Sequence, residues 1–140
     1  MIEDTVTTYL KSDATLDTLL GSSSGNSKFY PNIPKEEPTA PYVLYDASAG
    51  DESDEHIHED RIQYTICSPL KSAVEAIAHR IRVLLDVKDF IQDNLYSTNT
   101  NYYIYYSSYS GGSAPFEPVR EQWQIVLFFN VRYQYKSASR

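Results

Sequence analysis

The sequence predicts an α+β chain: an antiparallel sheet of about four main strands, the last of them long, with a main helix and a short N-terminal helix packed on one face. Three observations predict it. Trp123, Ile125, Leu127, Phe129, Val131, Tyr133 and Tyr135 are apolar at every second position, with the polar Gln122, Gln124, Asn130, Arg132, Gln134 and Lys136 between them. Successive side chains leave opposite faces of a pleat, so this alternation marks a half-buried strand. Second, Leu70, Ala73, Val74, Ile77, Ala78, Ile81, Leu84 and Leu85 recur at helical spacing, opposite Glu75, His79, Arg80 and Arg82. A single apolar stripe suits a helix lying across one face of a sheet. Third, the elements run helix, strand, strand, helix, strand, strand without an internal repeat, which reads as a single domain over residues 1–140.

In chain order, Ile2, Val6, Tyr9 and Leu10 share a helical face, with Glu3 and Asp4 in the first turn where the helix dipole favours acids. Ser12 or Asp13 caps a second turn carrying Leu16, Leu19 and Leu20, and Gly21 stops it ahead of a Ser/Gly/Asn loop. Lys28 to Tyr30 is a short extended piece closed by Pro31, and Pro34, Pro38 and Pro41 hold an irregular connection. Tyr42 to Ser48 and Arg61 to Ser68 alternate as two strands. Between them, Gly50 to Asp60 forms an acidic hairpin arm. Ser68-Pro69 reads as a cap with proline at the first helical position, opening the main helix that runs to Asp86. Asn94 to Asn101 is polar and reads as a turn. Tyr102 to Ser110 reads as an edge strand ending at Gly111-Gly112, and Pro115 and Pro118 bracket the loop into the final strand. That strand would extend roughly 45 Å, long against the usual five or six residues. Val126 and Phe128 make its middle apolar on both faces. Such a strand bends around a core or reaches toward another subunit.

The apolar fraction of 41% and the thirteen tyrosines are globular composition. No run approaches the roughly 18 apolar residues of a membrane span, so no membrane partner is expected. The acidic Met-Ile-Glu-Asp start does not indicate export. A single cysteine, Cys67, excludes an internal disulfide framework and suits a reducing compartment. The net charge of −7 argues against adhesive contact with nucleic acid, whose binders carry basic patches. It does not argue against a surface that DNA must pass without sticking.

The acidic arm, with Asp51, Glu52, Asp54, Glu55, His56, His58, Glu59 and Asp60, is the cluster a metal would use. His56 and His58 lie on one face of an extended chain. The arm nevertheless lacks the glycine and terminal glutamate of a calcium loop, and runs of like charge are usually solvated hairpin tips. Neither a metal nor another cofactor is expected. Cys67 sits among apolar neighbours as a small buried residue, and His79 falls on the polar side of the main helix. No Gly-x-Ser-x-Gly elbow, phosphate-cradling loop or His-Glu-x-x-His motif appears. The chain is therefore not expected to be an enzyme. The tyrosine run from Tyr102 to Tyr109 contains no Lys or Arg, unlike a nucleic-acid stacking platform. It reads instead as an edge strand whose tyrosines offer large contact area with a polar tip.

Taken in order, these pieces resemble the tail-completion, or tail-terminator, proteins of long-tailed bacteriophages. The pieces are the N-terminal segment ending Leu19-Leu20-Gly21, Lys28-Phe29-Tyr30-Pro31, Pro41-Tyr42-Val43-Leu44-Tyr45 and the acidic hairpin. After them come Arg61-Ile62-Gln63-Tyr64-Thr65-Ile66, the helix from Ser72 to Asp86 and the strand ending Phe129-Asn130-Val131-Arg132-Tyr133. The Tyr102–Tyr109 segment and the Ser137–Arg140 tail fall outside the resemblance. It implies a non-catalytic virion protein of the tail or neck, assembled in the host cytoplasm. Six copies would form a ring on the head-proximal end of the tail tube, ending polymerisation and joining tail to head. Its partners would be further copies of itself, the major tail tube protein and a head-side connector or stopper, with DNA crossing the lumen unbound. The residues expected at ring or tube contacts are Glu55, His56, Ile57, His58, Tyr102, Tyr105, Tyr106 and Tyr109. The alternatives are another neck component (a head-completion or connector-adaptor protein), a metal-binding module using the 51–60 arm, and a host-side binding module.

Overall fold

The computed structural model describes residues 2–21, 28–31, 40–52, 57–86, 102–114, 116–117 and 121–135. Helices α1 (Ile2–Lys11), α2 (Ala14–Leu20) and α3 (Lys71–Leu85) cover one face of a single sheet. The strands are β1 (Phe29–Pro31), β2 (Tyr42–Glu52), β3 (Ile57–Ser68), β4 (Tyr102–Ser113), β5 (Phe116–Glu117) and β6 (Gln122–Tyr135). Their spatial order is β1-β2-β3-β6-β4, with β5 also paired to β6. The longest strand thus lies inside the sheet, between β3 and β4.

Its odd positions face the helices. Leu127, Phe129, Val131 and Tyr133 are buried, and Trp123 and Ile125 pack against the same core. Across the sheet they continue rows from the neighbouring strands: Tyr45, Tyr64 and Leu127 form one, and Ala47, Ile62, Phe129 and Tyr109 the next. The helices close this layer with Ile2, Val6, Leu10, Leu16 and Leu20, and with Val74, Ile77, Ala78, Ile81 and Leu85 of α3. The Thr7 and Tyr64 hydroxyls, 2.9 Å apart, satisfy each other inside it.

The short elements follow local rules. The Asp13 carboxylate accepts the Leu16 N–H at 3.0 Å as the α2 cap, and Gly21 ends α2 in the left-handed region at φ 69°. Arg80 of α3 donates two hydrogen bonds to Asp13, at 2.8 and 3.0 Å, tying α3 to the start of α2. That guanidinium holds the Asp13 carboxyl below the usual carboxylate range, with the Leu16 N–H acting the same way.

Four expectations are corrected. The sheet is mixed, because β1 runs parallel to β2; a three-residue edge strand carries no periodicity that reveals its direction. The arm between the two strands is shorter than expected, since β2 continues to Glu52 and β3 begins at Ile57. Pairing to β6 on β3's other side carries the ladder through the charged residues. The main helix starts at Lys71 with Leu70 as its cap residue, without a side-chain capping bond. Ser68 remains in the ladder opposite Trp123, and its hydroxyl accepts the Leu70 N–H at 3.2 Å. Finally, β4 runs on to Ser113, with register shifts between Ile104 and Tyr106 and between Tyr109 and Gly111.

Candidate interaction surfaces

Three surfaces stand out once side chains are placed on the sheet. The first is its helix-free face, where even-numbered residues of β6 meet odd-numbered residues of β3. Antiparallel sheets tolerate one wet face, and this one mixes rings with charges. The Arg61 guanidinium lies 4.0 Å from the Phe128 ring centre. Glu59 pairs with Arg132 at 3.7 Å and accepts the Tyr106 hydroxyl at 3.2 Å. The Tyr105 hydroxyl donates to Gln134 at 2.5 Å, and Tyr103 beside it is 48% exposed. Ile57, half-buried, also pairs with Gln134, so Ile57 and Tyr103 flank one residue.

The second surface is the hairpin end of the helix-covered face. His58 stacks on Tyr133 with ring centres 5.4 Å apart and meets the edge of Tyr135 at 5.5 Å. Tyr102 closes the group, 5.3 Å from Tyr133 and 5.2 Å from Tyr135. The Tyr133 hydroxyl donates to Asp60 at 2.8 Å. Burial, then that acidic acceptor, pushes the Tyr133 phenol far above its ordinary value. Burial likewise raises Tyr102, with Tyr135, Glu3, Asp4 and Asp60 adding to it. Nearby, burial and then Asp4 push Tyr45, which donates to that carboxylate at 3.2 Å, up to about 12. The Tyr133 and Tyr45 phenols are donors to carboxylates.

The third is a groove of about 450 Å³ between α3 and the far ends of β4 and β6. Ala78, Ile125 and Leu127 make its floor; Glu75, His79 and Arg82 line its helix side. Gly112 lines the opposite side, and a Cβ there would collide with the Val126 carbonyl oxygen, so only glycine fits without a backbone shift. The Arg82 guanidinium lies 4.0 Å from the Tyr109 ring centre, and the Lys71 ammonium 5.1 Å from that of Trp123. The Tyr109 backbone N–H donates to Asp86 at 3.1 Å, which ties β4 to the end of α3.

The expected contact residues therefore separate. Tyr105 and Tyr106 stand on the helix-free face with Ile57. Tyr102 is 6% exposed and belongs to the core, not to an accessible surface. Tyr109 is half-buried under Arg82, and His58 is half-buried in the ring cluster. Glu55 and His56 lie outside the described residues. Cys67 is buried, as its apolar neighbours predicted. Among the described residues no group of three His, Cys, Asp or Glu is arranged to hold a metal, and no helix is long and apolar enough to cross a membrane. Sequence reasoning missed the groove. Its available signals were a charged stripe on α3 and a Gly-Gly pair inside a strand, each commonplace alone.

No protein-family model matches the chain, and no curated protein does. Among solved structures, the chain is similar to one in the virion of a native gene transfer agent (GTA) particle. The two share 19% identity with a TM-score of 0.66, and the match covers 92% of this chain and 91% of that one. At that identity the likeness establishes the fold: nearly the whole of each chain follows one architecture.

Proposed function

We propose that this chain is a structural virion protein without catalytic activity, acting as a single domain over residues 1–140. In this reading it is a tail terminator, six copies of which form a ring on the head-proximal end of the tail tube. The ring stops polymerisation and presents a docking face to the head's connector or stopper, while DNA crosses its lumen. The observation that carries the reading is the near-complete overlap of the fold with a chain of a gene transfer agent virion. The ordered resemblance to tail terminators narrows it. Two physical features support it: tyrosine-rich, two-faced strands are good interface material, and an acidic chain repels phosphates instead of trapping them.

Molar mass by light scattering, with and without purified tail tubes, tests it. A species about six times the 16.0 kDa chain is expected, alone or on tubes. A chain that stays monomeric and binds no tube refutes the ring. Finding the chain on isolated heads and absent from isolated tails would reassign it to a head-completion or connector-adaptor role.

A further inference from the structure

We infer that the groove beside α3 is the socket in which one copy receives the acidic hairpin, residues 51–60, of the next copy. The inference rests on the ring reading and names the surfaces that would close it. On the socket side, Lys71, Glu75, His79 and Arg82 recur on one stripe of α3, with cations at both ends. Arg82 and Lys71 each lie over a ring of their own chain, which positions them while their donors stay available. Among the described residues neither meets a carboxylate, whereas Arg80 has Asp13 and Arg132 has Glu59. The chain thus presents two pre-positioned cations beside an apolar floor.

The complementary charge belongs to the segment that joins β2 to β3 at the other end of the sheet, in which Asp54 and Glu55 lie outside the described residues. Residues 51–60 carry Asp51, Glu52, Asp54, Glu55, Glu59 and Asp60 and no Lys or Arg. Glu59 and Asp60 already meet Arg132 and Tyr133 within the chain, so the contact is assigned to Asp51, Glu52, Asp54 and Glu55. Along β3 the hairpin end is marked by Ile57, opposite Gln134, and the groove end by Ile66, opposite Ile125. Nine residues of strand separate them, about 30 Å, so a copy cannot fill its own socket with its own hairpin. Two unlike, complementary patches at opposite ends make a head-to-tail contact, the kind that closes into a ring when its rotation permits. The two bulges in β4 favour this arrangement over edge-to-edge strand pairing, because bulges blunt a sheet edge.

A charge swap tests the inference. In the presence of purified tail tubes, Lys71→Glu/Arg82→Glu should raise the concentration needed for assembly by about tenfold or more, since like charges across a contact disfavour it. Circular dichroism and thermal melting should show that variant to be folded, because both side chains are exposed. Adding Asp54→Lys/Glu55→Lys to the same chain should restore assembly, while the hairpin reversal alone should impair it. Unchanged assembly of Lys71→Glu/Arg82→Glu beside an assembling parent would overturn the socket and leave the ring intact. Loss without rescue would overturn the hairpin as occupant. A parent chain that never assembles would remove both readings together.

Discussion

Strands β6 and β4 lie side by side and share the same core, yet one announces its faces in sequence and the other hides them. In β6 every odd residue from Trp123 to Tyr133 turns toward the helices, without interruption. In β4 the phase slips twice. Tyr102 and Ile104 face the core, Tyr105 has no opposite residue, Tyr106 faces away, and Ser107 and Tyr109 face inward again. Ser110 is the second extra residue, after which Gly112 stands opposite Leu127. A central strand is held in register by two ladders and two buried flanks, whereas an edge strand has one ladder and can absorb an extra residue as a bulge. Alternation is therefore a statement about neighbours as much as about the strand itself.

The largest expected effect follows from that contrast. Deleting Asn130 from β6 would reverse the faces of everything beyond it, sending either Val131 and Tyr133 or Leu127 and Phe129 to the wrong side. No cooperative unfolding transition should survive. Deleting Tyr105 from β4 should instead leave a folded chain, because Ile104 inward followed by Tyr106 outward is already the regular alternation. Its cost includes the Tyr105 bond to Gln134, roughly 1 kcal/mol. Urea unfolding of both variants measures the difference; equal damage would refute the account of β4 as a strand of bulges.

A second test stays within β6 and compares adjacent residues. Phe129 is fully buried beneath the helices, 6.2 Å from the Tyr64 ring and 5.8 Å from Tyr109. Phe129→Ala should cost about 3–5 kcal/mol. Phe128, half-buried on the opposite face under Arg61, should cost about 1 kcal/mol in Phe128→Ala, mostly through the lost cation–π contact. If the two costs are similar, the helix-free face is buried more deeply than the chain alone shows.

These two strands also mark out what sequence could and could not convey. The odd face of β6, the stripe of α3, a cap at Ser12 or Asp13 and the Gly21 stop were legible, because each depends on residues within a few positions of one another. The hidden features depend on distant partners. Nothing in Lys28–Pro31 specifies a parallel neighbour, and nothing in Ile57–Asp60 shows that β6 will pair with it through four residues, two of them acidic. Ser68 looked like a cap because its claim on the ladder opposite Trp123 comes from a residue 55 positions later. The same limit applies to the surfaces. Tyr102 and Tyr106 look alike in sequence, but Tyr133 and Tyr135 bury the first while Glu59 holds the second at the surface. The groove needs α3, β4 and β6 together, so no single segment displays it.

The smallest effect concerns Asp13, one of the two caps that local rules offered, and separates its local role from its distant one. Asp13→Ala removes both the Leu16 bond and the Arg80 pair and should cost about 1–2 kcal/mol at neutral pH. Asp13→Asn keeps a capping oxygen but loses the charge and one of the two oxygens to which Arg80 donates, so it should cost less than Asp13→Ala. Because Arg80 lowers the folded-state value of this carboxyl, its contribution is fully present above the unfolded carboxylate value of about 3.9 and is lost as pH falls through the folded one. The gap between the parent and Asp13→Ala should therefore hold steady from neutral pH down to about pH 4–5 and narrow below that. Thermal melts across that range read it directly. A gap that stayed constant into the acid would mean that neither the Arg80 pair nor the Leu16 bond favours the charged carboxylate, and would refute the lowered value.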